Sequence, residues 1–347
     1  MLTKIIGQAQ VDTFARWMEE AEQYVIVSHI SPDGDAVGSS LGLWHFLTGR
    51  GKTVHVITPN AFPDYFKWME GSKEVLFYDK YRDFANQLIS HADVICCLDF
   101  NVITRIGDMA EAVSKSKAKK ILIDHHLEPG DFTDVIISHP HIASTSELIF
   151  RLICRLGSFS EITKAGAECI YTGMMTDTGG FAFNSNSPEI YFIISELLTK
   201  GIDKDAIYRK VFNTYSESRL RLMGYVLTRM KTYPAARAAL LTLTKEEQAQ
   251  FDYIKGDSEG FVNLPLQIRH TILSGFLRED TERKLIRVSL RSVGSFPCNQ
   301  MAAEFFNGGG HRNASGGELV GYTMEQAVAR FEEAVEAYRA VLETAKE

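Results

Sequence analysis

The sequence predicts an α/β protein: a mostly parallel sheet flanked by helices, followed by a smaller α/β C-terminal domain. Three observations lead there. Short apolar runs alternate with helical stretches over residues 1–200, the pattern of parallel strands covered on both faces by their crossover helices. The length of 347 residues exceeds the roughly 100–200 residues of one domain. From Arg237 the texture changes to a second set of strands with its own terminal helix.

The elements follow from spacing. Val11 to Glu22 reads as a helix and Tyr24 to Ser28 as a strand. Residues 36–49 read as a helix, with Val37, Leu41, Trp44 and Leu47 on one face. Thr53 to Thr58, Val94 to Leu98, Lys120 to Ile123 and Val135 to Ile137 are strands, with Thr104 to Ser116 a helix among them. Ser144 to Leu156 and Glu161 to Met175 are helices, and Pro188 opens another that ends at Gly201. Residues 203–231 read as one or two charged helices. Ala238 to Leu243, 270–278 and Arg287 to Leu290 are strands, and Met324 to Lys346 is a closing helix. The expected organisation is a catalytic domain over 1–200, a helical connector over 201–233 and a substrate-binding domain over 234–347.

Composition narrows the function. Lys+Arg is 37 and Asp+Glu is 44, a net charge of −7. That argues against a protein coating long nucleic acid, double-stranded or otherwise, which needs a basic surface. A small phosphate ligand held by a local cluster remains compatible. No apolar run approaches the roughly 18 residues of a membrane span, and Met1 to Gln10 does not read as a secretory signal. The five cysteines (Cys96, Cys97, Cys154, Cys169, Cys298) form no CxxC pair. Reduced, mostly buried thiols and a cytoplasmic location are expected.

The chemistry concentrates at strand ends. His29, Asp33 and Asp35 lie in a loop between a strand and a helix, with Gly34 allowing a tight turn. An imidazole and two carboxylates suit manganese, iron or cobalt, and magnesium is compatible; an Asp-Gly turn with Asp as helix N-cap is the plainer alternative. Val94 to Leu98 runs into Asp99, and Ile121 to Ile123 into Asp124, His125 and His126. Two adjacent histidines point in different directions, so one can hold metal while the other meets substrate, with Asp124 fixing a tautomer. Asp177 ends a helical segment ahead of Gly179 and Gly180, where a negative charge is unfavourable without a cation. Parallel topology gathers His29, Asp33, Asp35, Asp99, His125 and Asp177 at one edge of the sheet. That is too many ligands for one open catalytic ion, and it suits a pair about 3.5–4 Å apart, the arrangement used to clamp a phosphoryl transfer.

These motifs, in this order, resemble those of the DHH phosphoesterase superfamily, which includes RecJ, nano-RNases, 3′-phosphoadenosine 5′-phosphate phosphatases, cyclic-dinucleotide phosphodiesterases and family II pyrophosphatases. The resemblance implies that His29, Asp33 and Asp99 hold one manganese. Asp35, Asp99, His125 and Asp177 would hold the other, with Asp99 bridging. It gives His126 a substrate contact and Asp124 a supporting role, with Asp124, Asp99 and His126 as the catalytic set. The stretch Asn307 to Gly317, with Gly308, Gly309, Gly310, His311 and Arg312, looks like the GGGH signature of the DHH-associated C-terminal domain. Glycine backbone amides and the Arg312 fork can bind an anion. A flexible loop is the alternative. Arg105 and Arg291 are further substrate-binding candidates, each equally readable as a solvated arginine. Ser144, Thr145 and Ser146 open a helix and are read as caps before anion ligands.

The function implied is hydrolysis of short oligoribonucleotides or 3′-phosphoadenosine 5′-phosphate by two divalent cations, manganese first, magnesium or cobalt as substitutes. The active site is expected in a cleft between the domains, which limits substrate length. A cyclic-dinucleotide phosphodiesterase is the alternative within the family, and a non-catalytic nucleotide-binding regulator the alternative outside it. No membrane association is expected. A homodimer is compatible.

Overall fold

The computed structural model describes residues 2–254 and 256–346. The chain divides into two compact units, Met1–Thr214 and Tyr215–Glu347. The division falls within the 201–233 segment, so its two helices belong to different units.

The first unit runs α1 (Gln8–Glu20), β1 (Gln23–Val27), α2 (Gly34–Gly49), β2 (Thr53–Thr58), β3 (Leu76–Phe77), α3 (Arg82–His91), β4 (Val94–Leu98), α4 (Met109–Lys115), β5 (Lys119–Asp124), β6 (Val135–Ser138), α5 (Thr145–Arg155), α6 (Lys164–Asp177), α7 (Pro188–Leu198) and α8 (Lys204–Phe212). The strands form one sheet in the order β3-β2-β1-β4-β5-β6, every neighbouring pair parallel. The chain therefore winds outward from the centre in both directions. The reversal lies between β1 and β4, and beyond the carboxyl ends of such a pair a doubly wound sheet opens its ligand crevice.

The central strands are apolar on both faces because helices cover both. Ile26, Cys96, Ile121 and Ile123 enter one core cluster. Val25, Val27, Ile95, Cys97 and Leu122 enter another on the opposite face. Strand alternation sends adjacent Cys96 and Cys97 to opposite sides. All five cysteines are free.

Glycine sets the closest helix contact. Gly34, Gly38 and Gly42 line one face of α2 at four-residue spacing, and α6 lies directly on them. A Cβ at Gly34 would stand 2.3 Å from the Thr176 hydroxyl oxygen, one at Gly38 2.6 Å from the Cys169 carbonyl oxygen, and one at Gly42 2.7 Å from Ile170. The pairing is antiparallel, so the start of α2 meets the end of α6. That places Asp35 in the first turn of one helix and Asp177 at the last residue of the other, side by side.

Two expected helices are interrupted. The stretch 104–116 is a short 3₁₀ turn, Ile103–Ile106, followed by α4. Gly107 separates them at φ +55°, and a side chain there would strike Ile30. The terminal helix breaks at Tyr338, whose hydroxyl donates to Glu304 at 2.8 Å.

The second unit comprises α9 (Glu217–Thr228), β7 (Lys231–Tyr233), β8 (Ala238–Leu243), α10 (Lys245–Gln250), β9 (Leu273–Glu279), β10 (Leu285–Ser292), α11 (Cys298–Phe305), β11 (Gly309–His311), β12 (Ala314–Val320), α12 (Met324–Ala337) and α13 (Arg339–Thr344). Its sheet has the order β11-β12-β10-β9-β8-β7, with only β8 and β9 parallel. The glycine-rich stretch 307–317 is thus a hairpin rather than a loop.

Replacing Gly38 by Ala tests the helix contact. The added methyl must force backbone apart, so we expect a loss of about 2–3 kcal/mol in urea unfolding. An unchanged midpoint would show that α2 and α6 can separate freely.

Candidate metal centre

Each element delivers its side chain for a local reason. Asp33 is the N-cap of α2: its Oδ1 accepts from the Asp35 and Ala36 amides, each at 3.0 Å. The plainer reading of Asp33 is therefore correct for one oxygen. The other, Oδ2, stands 3.8 Å from His29 Nε2. His29 Nδ1 hydrogen-bonds the Ile30 carbonyl at 2.9 Å, which turns Nε2 toward Asp99 Oδ2 at 3.4 Å, across the switch between β1 and β4. Asp99 has φ +65°, a left-handed conformation that Asp tolerates better than most residues. This strained turn ends β4, while the Asp99 amide still bonds the Ile123 carbonyl at 3.2 Å.

At the end of β5 the three polar residues separate. His125 Nδ1 donates to the Ile142 carbonyl at 3.2 Å. Its Nε2 faces Asp177 Oδ2 at 3.3 Å, Asp99 Oδ1 at 3.6 Å and Asp35 Oδ2 at 3.9 Å. Asp124 is fully buried and its Oδ1 holds His126 Nδ1 at 2.7 Å. That contact orients the His126 ring and fixes its tautomer.

All six expected metal-ligand side chains come together in the first unit. Ligand atoms of His29, Asp33 and Asp99 lie within 4.8 Å of one another, as do those of Asp35, His125 and Asp177. Asp99, His125 and His126 form a third such group. Asp99 faces both sets, with Oδ2 toward His29 and Oδ1 toward His125.

The electrostatics expose a surplus of negative charge. Burial, then the charges of Asp99 and Asp177, pushes the Asp35 carboxyl well above its usual range. Burial likewise raises Asp177 to about 7, against the pull of His125. Burial works against a charged His29, yet hydrogen bonds and charge from Asp33 and Asp99 outweigh it and raise the imidazole to about 11. Burial raises Asp99, but the surrounding imidazoles of His29, His125 and His126 win and hold it low. Carboxylates and imidazoles crowded together in this way could hold a divalent cation. The donor set of carboxylate oxygens and imidazole nitrogens fits such ions.

The helix start at residues 144–146 both caps α5 and holds an anion. The Thr145 and Ser146 amides, at the start of α5, donate to Asp35 Oδ2 at 2.6 Å and Oδ1 at 2.8 Å. Ser144 caps the helix as expected, its hydroxyl accepting from the Glu147 amide. The anion at this N-terminus is the protein's own carboxylate.

The substrate candidates are divided between the two units. Arg105 sits in the 3₁₀ turn beside the His29 loop, its carbonyl accepting from the Ile30 amide at 2.8 Å. Arg291 and the hairpin are in the second unit. The Arg291 guanidinium is half-buried and donates to the Leu290 carbonyl at 2.9 Å. Arg312 donates to the Ser295 carbonyl at 2.8 Å, so part of each fork is bound within the second unit. A Cβ on Gly308 would lie 1.8 Å from the Gly316 carbonyl oxygen, and Gly310 has φ +139°. Both glycines are demanded by the hairpin. Gly309 is exposed, with no atom within 4 Å of an added Cβ.

Residues 23–174 match the DHH family, N-terminal domain, and residues 237–343 match the DHHA1 domain. The bifunctional oligoribonuclease and PAP phosphatase NrnA of Thermus thermophilus is 31% identical over 89% of this chain and 88% of its own length. The chain belongs to the DHH family. It is a phosphoester hydrolase of that family, with no helix, among the described residues, long and apolar enough to cross a membrane. The crystal structure of an exopolyphosphatase-related protein from Bacteroides fragilis is 67% identical, with a TM-score of 0.97 over 99% of this chain and all of that one. RecJ of Thermus thermophilus in complex with Mn²⁺ shares the fold at 14% identity, with a TM-score of 0.57 over 97% of this chain and 55% of RecJ.

Adding a divalent cation to chelator-stripped protein should raise its melting temperature. Manganese at about 100 times its dissociation constant should add about 2.7 kcal/mol of stability. A scanning-fluorimetry trace unmoved by manganese, magnesium and cobalt would contradict the electrostatic account.

Proposed function

We propose that this DHH-family chain hydrolyses short oligoribonucleotides and 3′-phosphoadenosine 5′-phosphate with two divalent cations, manganese first. The observation that carries the reading is the sharing of Asp99 between two ligand groups. One oxygen faces His29, which in turn faces Asp33, and the other faces His125, which in turn faces Asp35 and Asp177. His29, Asp33 and Asp99 would hold one ion, and Asp35, Asp99, His125 and Asp177 the second. Bound there, such a pair lowers the pKa of water and neutralises charge on a phosphoryl group.

The protein's own groups supply the rest. His126 has its Nδ1 proton held by Asp124, so the ring presents a fixed tautomer and can contact a phosphate oxygen through Nε2. Arg105, next to the His29 loop, suits a second phosphate. In the second unit, Gly309 and His311 of the hairpin are exposed, and they suit binding of the nucleotide portion with Arg312 and Arg291. The name and coverage of the NrnA relative support the substrate class. The net charge of −7 favours short substrates over long strands.

A panel with manganese tests the substrate: labelled di- to pentaribonucleotides, 3′-phosphoadenosine 5′-phosphate, cyclic dinucleotides, pyrophosphate and polyphosphate. Turnover of the first two classes is expected. Preference for cyclic dinucleotides would move the assignment within the family, and binding without hydrolysis of any substrate would refute an enzyme. Asp99→Asn should lower kcat by about 100-fold or more, because several kcal/mol of charge stabilisation depends on both ions. Near-normal kcat at saturating manganese would remove Asp99 from its shared role.

Gly309→Ala separates the hairpin's binding role from its folding. Nothing within the unit opposes the methyl, so the melting temperature should hold while KM rises at unchanged kcat. An unaffected KM would leave the exposed glycine without a substrate role.

A further inference from the structure

The start of α5 does more than cap a helix. Thr145 has no solvent exposure, and it makes two contacts to the carboxylate cluster from one residue. Its amide donates to Asp35 Oδ2 at 2.6 Å. Its hydroxyl donates to Asp99 Oδ1 at 3.0 Å. Asp99 Oδ1 is the oxygen that faces His125 Nε2 at 3.6 Å, and the adjacent Ser146 amide holds the second oxygen of Asp35 at 2.8 Å. Both oxygens of Asp35 are therefore pinned by α5. Asp99 is pinned by the same residue, on the side away from His29.

We infer that Thr145 is a positioning residue: its amide and hydroxyl tie Asp35 and Asp99 together and set the carboxylates for the second ion of the pair. The inference rests on the reading of the cluster as a metal centre. The physical reasoning is specific. A carboxylate oxygen that accepts one directed O–H bond presents its remaining lone pair in a defined direction. Two like charges, buried with almost no water, would otherwise turn away from each other. The hydroxyl counters that rotation at Asp99, and the helix amides counter it at Asp35, where the dipole of an eleven-residue helix also favours a negative charge. Groups that orient ligands from behind in this way govern metal affinity by about 10–100-fold.

The hydroxyl can be removed while the amides stay. Thr145→Val keeps the side-chain shape and deletes the donor, Thr145→Ala deletes donor and bulk, and Thr145→Ser keeps the donor. Each full-length chain is stripped with chelator, checked by circular dichroism and titrated calorimetrically with MnCl₂. Activity is then measured at saturating manganese. The Val and Ala variants should remain folded and bind manganese about 10-fold or more weakly, with lowered kcat and unchanged KM. The Ser variant should lie close to wild type in both. Wild-type manganese affinity in the Val variant, or a Ser variant as weak as Val, would overturn the positioning role. Loss of fold in both Val and Ala would overturn it in favour of a structural one. A wild-type chain that takes up no manganese would fail at the metal reading itself, and this inference with it.

Discussion

Four carboxylates gathered at one edge of a sheet is the constraint around which the first unit is arranged. Asp35 and Asp99 are almost completely buried, and Asp33 and Asp177 converge on the same volume. Left to themselves such groups repel, and burial penalises each charge. The fold answers with imidazoles interleaved between the carboxylates and with the amides of α5 laid against Asp35. Burial, with the neighbouring carboxylates adding to it, still pushes the Asp35 and Asp177 carboxyls upward. The divalent pair proposed above would relieve that repulsion.

The same economy runs through Asp33, His29 and His125. One atom is committed inside the protein and the other is left for the centre. Asp33 caps α2 with Oδ1 and offers Oδ2. His29 and His125 each bind a backbone carbonyl through Nδ1 and offer Nε2. His126 leans on Asp124. An arrangement fixed from behind needs little reorganisation when ions and substrate arrive, which is how preorganised sites lower barriers.

Much of this was legible in the sequence because parallel strands are continuous apolar runs, and a polar residue terminating each run marks the ligand edge. Asp99 and Asp124 to His126 were visible for that reason. What was not legible depends on partners far along the chain. Gly34, Gly38 and Gly42 matter only because α6 lies on them, more than 120 residues later. Thr145 reads locally as helix-opening, and its two carboxylate partners lie 110 and 46 positions away. The hairpin of β11 and β12 carries no strand signal in the sequence because glycine is a poor strand former; here glycine is required, since Gly308 and Gly317 leave no room for a side chain against their neighbours. The break at Gly107 has no local signal, because the side chain packed against it, Ile30, comes from the end of another strand.

The most direct measurement is anomalous diffraction at the manganese edge from crystals of the full chain soaked in MnCl₂. The account predicts two peaks in the first unit, one between His29, Asp33 and Asp99 and one between Asp35, Asp99, His125 and Asp177, with the Asp99 carboxylate touching both. A single peak, or a pair with Asp99 turned away from one of them, would contradict it.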